Sequence, residues 1–415
     1  MEFLPTTLGT RPRLALEIRA EGVVAARAED ATGLLSAVSR GLLAEGVVTP
    51  GLKAGNIGDG LGGIGGRAAV VLAVKKALEA VVLKTREVTL VVPDAAVRVL
   101  LLDFDALPGK MLEALPVVRF RLKKLLPFDA DDAAVSYQVM EMRKGMVRVV
   151  AVAMPRDVLA EYEGVVRAAG FEPGAVLPST LAALAGLEEE AGPVLVVNAG
   201  RQGVTTAIVR DGVVLLHRSV DLRAMETRGV DVRVEGGADS RVAETQVLEA
   251  RSEAPGFMAV LPLVDVEDSA GEWARQEPVG YGTDRLEAEA EMEASHAGPA
   301  IAIDPELRRA GDLMLARQMA GEQAVRGAMV EVAQAVSVAA AYFEDTLEIA
   351  PETVFSAGPM GAEALADVLQ DAGVGPVPVR EMVALKMLGP GAESAAAPGG
   401  LPRGWLAGVR GALAN

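Results

Sequence analysis

The sequence predicts an α/β fold on a chain long enough for two lobes or two to three domains. Short apolar, β-branched runs bounded by Pro or Gly alternate with stretches of helical period, as strands and helices do in layered folds. The chain has 415 residues, of which 51% are hydrophobic, enough to bury a sizeable core. Aromatic residues contribute only 3%, so packing of small aliphatic side chains is expected.

Residues 88–140 give the clearest reading. The run 88–92 (VTLVV) is a buried strand stopped by Pro93, and 98–104 is a second strand. Asp105 is placed to cap the next helix, with Pro108 near its first turn. That helix is expected over about 109–126, with Met111, Leu115, Val118, Leu122 and Leu126 on one face and Pro127 ending it. Val135, Tyr137 and Val139 then alternate as in a half-buried strand. A strand at 146–152, a helix at 156–169, a strand at 172–176 and a helix at 179–187 follow. The helix at 156–169 starts after Pro155 and ends before Gly170, as helix termini prefer. The order βαββαβ is that of a ferredoxin-like split motif.

Upstream, strands at 13–19 and 23–27 turn at Glu21-Gly22, 34–43 contains a further strand, and a helix is expected at 68–81. The Gly-rich run 55–66 before that helix lacks a following Lys-Ser/Thr, so it reads as a connector and not a Walker A loop. Downstream, strands at 194–199, 203–210 and 213–221 are joined by tight turns, the second carrying an Asp211-Gly212 hairpin signal. Residues 307–347 are helical in pattern, with a break expected near Gly311, Gly321 or Gly327. A strand at 353–356, a helix at 362–372 and a strand at 376–380 come next. A Gly, Pro and Ala linker at 389–400 and a modest amphipathic tail at 401–415 close the chain.

The net charge of −17 is unevenly spread. Residues 226–293 carry 17 Asp and Glu against 6 Arg, a balance of −11, which leaves −6 for the rest. Without a sustained apolar period, this segment reads as an insertion that buries too little surface to offset ordering entropy. No basic stripe interleaved with aromatics occurs, which argues against general nucleic-acid binding. The basic cluster Arg119, Arg121, Lys123, Lys124 reads as a solvated helix face. No apolar run is long enough to span a bilayer, and the first residues lack a basic start followed by an apolar core, so neither a membrane span nor a signal peptide is expected. With no cysteine and only two histidines, His217 and His296, disulfides and Cys- or His-based metal clusters are excluded.

One ordered set of landmarks is more specific. A strand ending in VVP, Leu-Pro before a helix, a basic helix ending in LPFDADD and then VSYQVM resembles the PilM family of type IV pilus assembly proteins. The resemblance implies a two-lobed actin-like (ribonuclease H-like) ATPase fold with an inserted ferredoxin-like subdomain. It places the first lobe at 11–93, the subdomain at 94–187, the start of the second lobe at 188–222, the acidic insertion at 223–305, the rest of the second lobe at 306–388, and a linker and tail at 389–415.

Each of the three nucleotide motifs of that superfamily departs from its pattern. In the first phosphate hairpin Glu17 stands where an Asp is expected and Arg19 where a Gly is expected. The Arg19 guanidinium would either neutralise phosphate or fill the place a nucleotide would occupy. In the second, Asn198-Ala199-Gly200 replaces Asp-x-Gly, with Thr205 and Thr206 following, so no carboxylate reaches the metal shell from there. In the adenosine turn Ser356, Gly358 and Gly361 remain, while Ala357 and Pro359 replace glycines. The resemblance therefore implies a cytoplasmic scaffold, peripheral to the inner membrane and touching it only through partners. It would hold the N-terminal tail of a PilN-like protein, with ATP and Mg²⁺ bound weakly or not at all. Leu126, Pro127 and Phe128 are the candidates for the tail groove. The alternatives are an ATPase using Glu17, Thr205 and Thr206 around Mg-ATP, or a component of a type II secretion platform.

Overall fold

The computed structural model describes residues 12–30, 32–58, 66–187, 192–222, 305–374, 377–396 and 400–414. The acidic insertion expected over 223–305 lies outside these residues but for its last position. The chain divides into one unit of Met1–Asp231 with Met319–Asn415 and another of Val232–Gln318, and the architecture below is that of the first.

The first part of the chain runs β1 (Leu14–Arg19), β2 (Gly22–Ala28), β3 (Leu35–Leu42), α1 (Gly66–Val81), β4 (Glu87–Val92), β5 (Arg98–Phe104), α2 (Met111–Leu122), β6 (Ala133–Arg143), β7 (Met146–Pro155), α3 (Arg156–Ala168), β8 (Glu172–Pro178) and α4 (Ser179–Ala185). The second part runs β9 (Val194–Ala199), β10 (Gly203–Arg210), β11 (Val213–Asp221), α5 (Pro305–Leu347), β12 (Val354–Ser356), α6 (Gly361–Asp371), β13 (Val379–Glu381), α7 (Pro390–Ala395) and α8 (Ala407–Leu413).

Two five-stranded sheets form, with orders β3-β2-β1-β4-β8 and β11-β10-β9-β12-β13. Each is a three-stranded antiparallel meander continued by two parallel strands. Short turns between neighbours give the antiparallel half, and helical crossovers give the parallel half. β1 and β9 are central and covered on both faces, which is why their sequences read as nearly unbroken apolar runs. Both lobes of the predicted fold are therefore present, each built on the same strand order.

The inserted part is smaller than the order βαββαβ implied. β5, β7 and β6 make a separate three-stranded antiparallel sheet, on which α2 packs through Ala114, Val118 and Leu122. The last strand of the series, β8, pairs with β4 in the first-lobe sheet. α3 likewise buries Val158, Tyr162, Val165 and Val166 in the first-lobe core. Strand order along a chain does not reveal pairing partners, so the sequence could not separate these cases.

Three further expectations need correction. Lys110 and not Asp105 precedes α2, without a side-chain cap. α5 continues for 43 residues through Gly311, Gly321 and Gly327. Each glycine costs a helix only about 1 kcal/mol, which packing can offset; here Val332, Val336, Ala339 and Phe343 are buried against the second sheet. Finally, 389–414 is not a linker and tail. Trp405, Leu406, Val409, Ala412 and Leu413 are buried, and α8 crosses α4 in close contact. A Cβ at Gly411 would lie 1.8 Å from the Ala182 carbonyl oxygen, so only glycine permits this approach. Because α8 is small-sided and buried all round, it shows no amphipathic stripe to read.

Candidate functional site

The carboxyl end of β1 faces the turn after β9 across the interlobe cleft. Arg19 ends β1 and Asn198 lies near the end of β9. α4 begins directly after β8 with Ser179-Thr180, and Asp94 follows the Pro93 that stops β4. These four elements converge on a buried polar cluster in which Glu17, Arg19, Asp94, Ser179, Thr180 and Asn198 are all at least nine-tenths removed from solvent.

The side chains of the cluster bond chiefly to one another. Arg19 Nε donates to Glu17 Oε1 at 2.6 Å, and Arg19 Nη2 donates to Asn198 Oδ1 at 2.6 Å and to Ser179 Oγ at 2.5 Å. Ser179 Oγ donates to Glu17 Oε1 at 2.6 Å. Asn198 Nδ2 reaches Ser179 Oγ and Thr180 Oγ1 at 3.0 Å each, and Asp94 Oδ2 at 3.3 Å. Asp94 also accepts the Thr180 hydroxyl at 2.5 Å and the Thr180 backbone N–H at 3.1 Å, which places a carboxylate on the first turn of α4. Burial by itself works against the Arg19 charge, but Glu17, Glu21 and Asp94 outweigh it and hold the guanidinium pKa above its ordinary value. The cation is thus permanent, and it ties the first lobe to the second.

Beside the cluster, Glu21 from the first hairpin accepts the backbone N–H of Arg201 in the turn after β9. Pro359 abuts Gly200, since a Cβ there would lie 3.2 Å from Pro359 Cγ. Gly358 is pressed onto Ala199, where a Cβ would come within 2.6 Å of the backbone nitrogen and 2.7 Å of Asn198 Oδ1. The turns that follow β1, β9 and β12 therefore touch one another. The cavity of about 510 Å³ that remains is lined by Arg19, Glu21, Arg98, Gln202 and Thr205 among others, and neither Ser356, Gly358 nor Gly361 reaches it. Ser356 is buried in β12, and Gly361 starts α6 at φ +77° beneath Pro402 of the C-terminal segment.

Glu17, Arg19, Asn198 and Gly200 are brought together as the sequence suggested. Thr205 and Thr206 are separated by strand alternation: Thr205 lines the cavity and meets Ser219 Oγ at 2.8 Å, while Thr206 Oγ1 is buried without a hydrogen-bond partner. Ser356 and Gly361 lie outside the cavity lining, and Gly358 packs on Ala199 and Asn198 without reaching the cavity. Asp94, Ser179 and Thr180 were not singled out from sequence. The signal was available in Pro93-Asp94 and Pro178-Ser179-Thr180, polar residues directly after buried strands, where sites form in α/β sheets.

The residues present do not fit Mg-ATP. A phosphate would need backbone N–H groups and a clear approach at position 19, where a guanidinium now stands. A metal would need several acceptor oxygens turned toward it, whereas Glu17 Oε1 already takes Arg19 and Ser179, and both oxygens of Asp94 take donors of Thr180. Among the described residues no cluster of three metal-ligating side chains occurs.

A second concavity, of about 460 Å³, lies between the first lobe and the inserted sheet, lined by Leu52, Lys53, Phe128, Asp132, Pro155 and Arg156 among others. Its first-lobe wall is set by α3. The Glu161 carboxylate accepts the backbone N–H groups of Gly55, Asn56 and Ile57, at 2.5, 2.8 and 3.3 Å. The Asn56 side chain in turn closes the loop on itself through Gly51 N and Lys53 O at 2.7 and 2.6 Å. Of the three groove candidates, Leu126 and Phe128 both pack in part on the core of the inserted sheet, Phe128 also lines this concavity, and Pro127 is exposed.

The strand orders and the interlobe position of the cluster define a two-lobed actin-like fold. The PilM-PilN type IV pilus biogenesis complex has this fold over nearly the whole chain, with a TM-score of 0.58, 17% identity, and coverage of 97% of this chain and 98% of that one. Weaker likenesses extend to the ethanolamine utilization protein EutJ from Carboxydothermus hydrogenoformans (TM-score 0.40, 12% identity, 99% and 91% coverage). They also include the cytoplasmic domain of Epsl from Vibrio cholerae (TM-score 0.33, 14% identity, 54% and 78% coverage). No family model and no curated protein sequence matches the chain. The expected resemblance is thus met at the level of the fold. No helix among the described residues is long and apolar enough to cross a membrane.

Proposed function

We propose that this protein is a PilM-like scaffold of a type IV pilus assembly platform, working at the cytoplasmic face of the inner membrane, with its ancestral nucleotide site converted into a structural bridge. The observation that carries the reading is Arg19, whose guanidinium stands at the phosphate position and joins Glu17 and Ser179 of one lobe to Asn198 of the other. A scaffold gains from such a bridge, because the lobes are held in one arrangement without a ligand. An ATPase would be disabled by it, since the cation and its partners occupy the space and the donors that phosphate and metal need.

The groove between the loop at 49–57 and the inserted sheet is the place we assign to an extended partner tail. Its wall is part apolar (Leu52, Phe128, Pro155) and part charged, with Lys53 and Arg156 beside Asp129, Asp132 and Asp157, so both an apolar anchor and flanking charges can be matched. The similar fold is known in a complex with PilN, and a PilN-like tail is accordingly the partner proposed. The test is co-purification of the full chain with solubilised inner-membrane proteins of the host, compared with Phe128→Glu. Capture of a single-span protein that depends on Phe128 supports the scaffold. Equal capture by wild type and variant removes the groove assignment, and no capture removes the partner.

A further inference from the structure

The side of α2 that faces away from the protein is apolar and basic at once. Ala114, Val118 and Leu122 are buried against the inserted sheet. Leu112, Pro116 and Phe120, spaced i, i+4 and i+8, fall on the opposite side of the same helix. Leu112 is 88% exposed and Phe120 67%, and Met111, Val117 and Leu125 are exposed beside them. Scattered single exposed apolar residues are ordinary on soluble proteins, but a bulky row on one helix is not.

Around this row the chain places Lys110, Arg119, Arg121, Lys123 and Lys124 against one acidic residue, Glu113, although the chain as a whole is at −17. Lys124 Nζ lies over the Phe120 ring at 5.8 Å and Lys123 reaches Asp131 at 2.5 Å, yet Leu112 and Phe120 stay largely exposed, so the row is open to solvent with cations beside it. Arg119 turns inward to the carbonyls of Ala130 and Ala133 and fixes the chain after the helix.

Shape decides which partner this surface suits. A peptide is held in a concave groove, where it loses water on several sides. Here the apolar side chains stand on the convex back of a surface helix. Projecting leucine and phenylalanine with lysine and arginine alongside is the arrangement that enters the headgroup region of a bilayer, the apolar tips reaching the acyl boundary while the cations stay with lipid phosphates. We propose that the α2 face of the inserted subdomain docks directly on an anionic phospholipid surface, through Leu112 and Phe120 with Arg121 and Lys124. Positive charge on this helix and negative charge over the rest of the chain would orient the molecule, subdomain first. This contact is separate from the groove lined by Phe128 and does not depend on a tail being held there.

The test is flotation of the full chain with vesicles of phosphatidylglycerol and phosphatidylethanolamine, beside vesicles of phosphatidylcholine alone. We expect binding to the anionic vesicles only, weakened at least about tenfold by Leu112→Glu with Phe120→Glu, and comparably by Arg121→Glu with Lys124→Glu. Raising salt toward about 0.5 M should release the protein, since the cations act through a screened surface potential. All four positions are exposed, and circular dichroism melting of the variants checks that they fold; Phe120→Ser serves if a doubly acidic variant does not. No binding to anionic vesicles, or equal binding by wild type and folded variants, overturns the proposal. So does a result in which the variants keep vesicle binding but lose self-association or capture of a protein partner, because the face would then belong to a protein.

Discussion

The interlobe cleft and the subdomain groove share a wall, the loop at residues 49–57, yet they treat charge in opposite ways. In the cleft, Glu17, Arg19, Asp94 and Asn198 are buried and satisfy one another within 3.3 Å. In the groove, Lys53, Asp129 and Arg156 are exposed at the rim. A buried charge already held by buried partners gains little from a ligand, because displacing those partners would uncover the charge. A half-open wall with apolar centre and solvated charges loses little by receiving a chain. On the proposed function, the cleft serves as a joint and the groove receives the partner.

The comparison can be broken or sharpened by substitution. Arg19→Ala removes the cation from a bridge whose other members stay buried, and should cost about 3–5 kcal/mol in urea unfolding, the range for one-sided loss of a buried pair. Removing the charge on both sides, Arg19→Met with Glu17→Gln, should cost less than Arg19→Ala alone. If the double substitution is the worse one, the bridge is not electrostatically closed. Gly411→Val tests the packing of α8 on α4, and should cost about 3 kcal/mol by the same measurement, as overpacking at a rigid contact does. Glu161→Ala leaves the N–H groups of residues 55–57 without their acceptor. It should cost about 1–3 kcal/mol, and amide exchange should quicken in that loop but not at β1 or β9. Lys123→Ala breaks an exposed pair with Asp131 and should change stability by less than about 1 kcal/mol.

His217 offers a pH counterpart. Burial of its ring holds the imidazole pKa below the ordinary histidine value, with Asp94 opposing that shift less strongly, and Nε2 finds no hydrogen-bond partner. The unfolded chain therefore binds this proton more readily. Its stabilising contribution is present above the ordinary histidine pKa and lost as pH falls through the lower folded value. His217→Gln should flatten the stability profile between those two values, as thermal melts across that interval would show.

How much could be read from the sequence follows from locality. β9, β10 and β11 fall on the residues expected of them, because tight turns and apolar runs are local signals. The alteration at Arg19 was legible as a residue out of pattern, but its consequence depended on Ser179 and Asn198, which lie 160 and 179 positions away. The pairing of β8 with β4 and the burial of α8 were not legible, since both depend on distant partners and the second on glycines that only gain meaning at a contact. Of the residues singled out at 126–128, only Phe128 lines the concavity, because side-chain direction after a helix end is not a local signal of the sequence.

The most direct test of the joint is calorimetric titration of the full chain with Mg-ATP up to about millimolar concentration, a range in which even weak sites of roughly −4 kcal/mol register. No saturable heat is expected for the wild type. Saturable binding of Mg-ATP by the wild type, lost on Arg19→Ala or Asn198→Ala in protein that remains folded, would mean that the cluster still holds phosphate and would contradict the proposed joint.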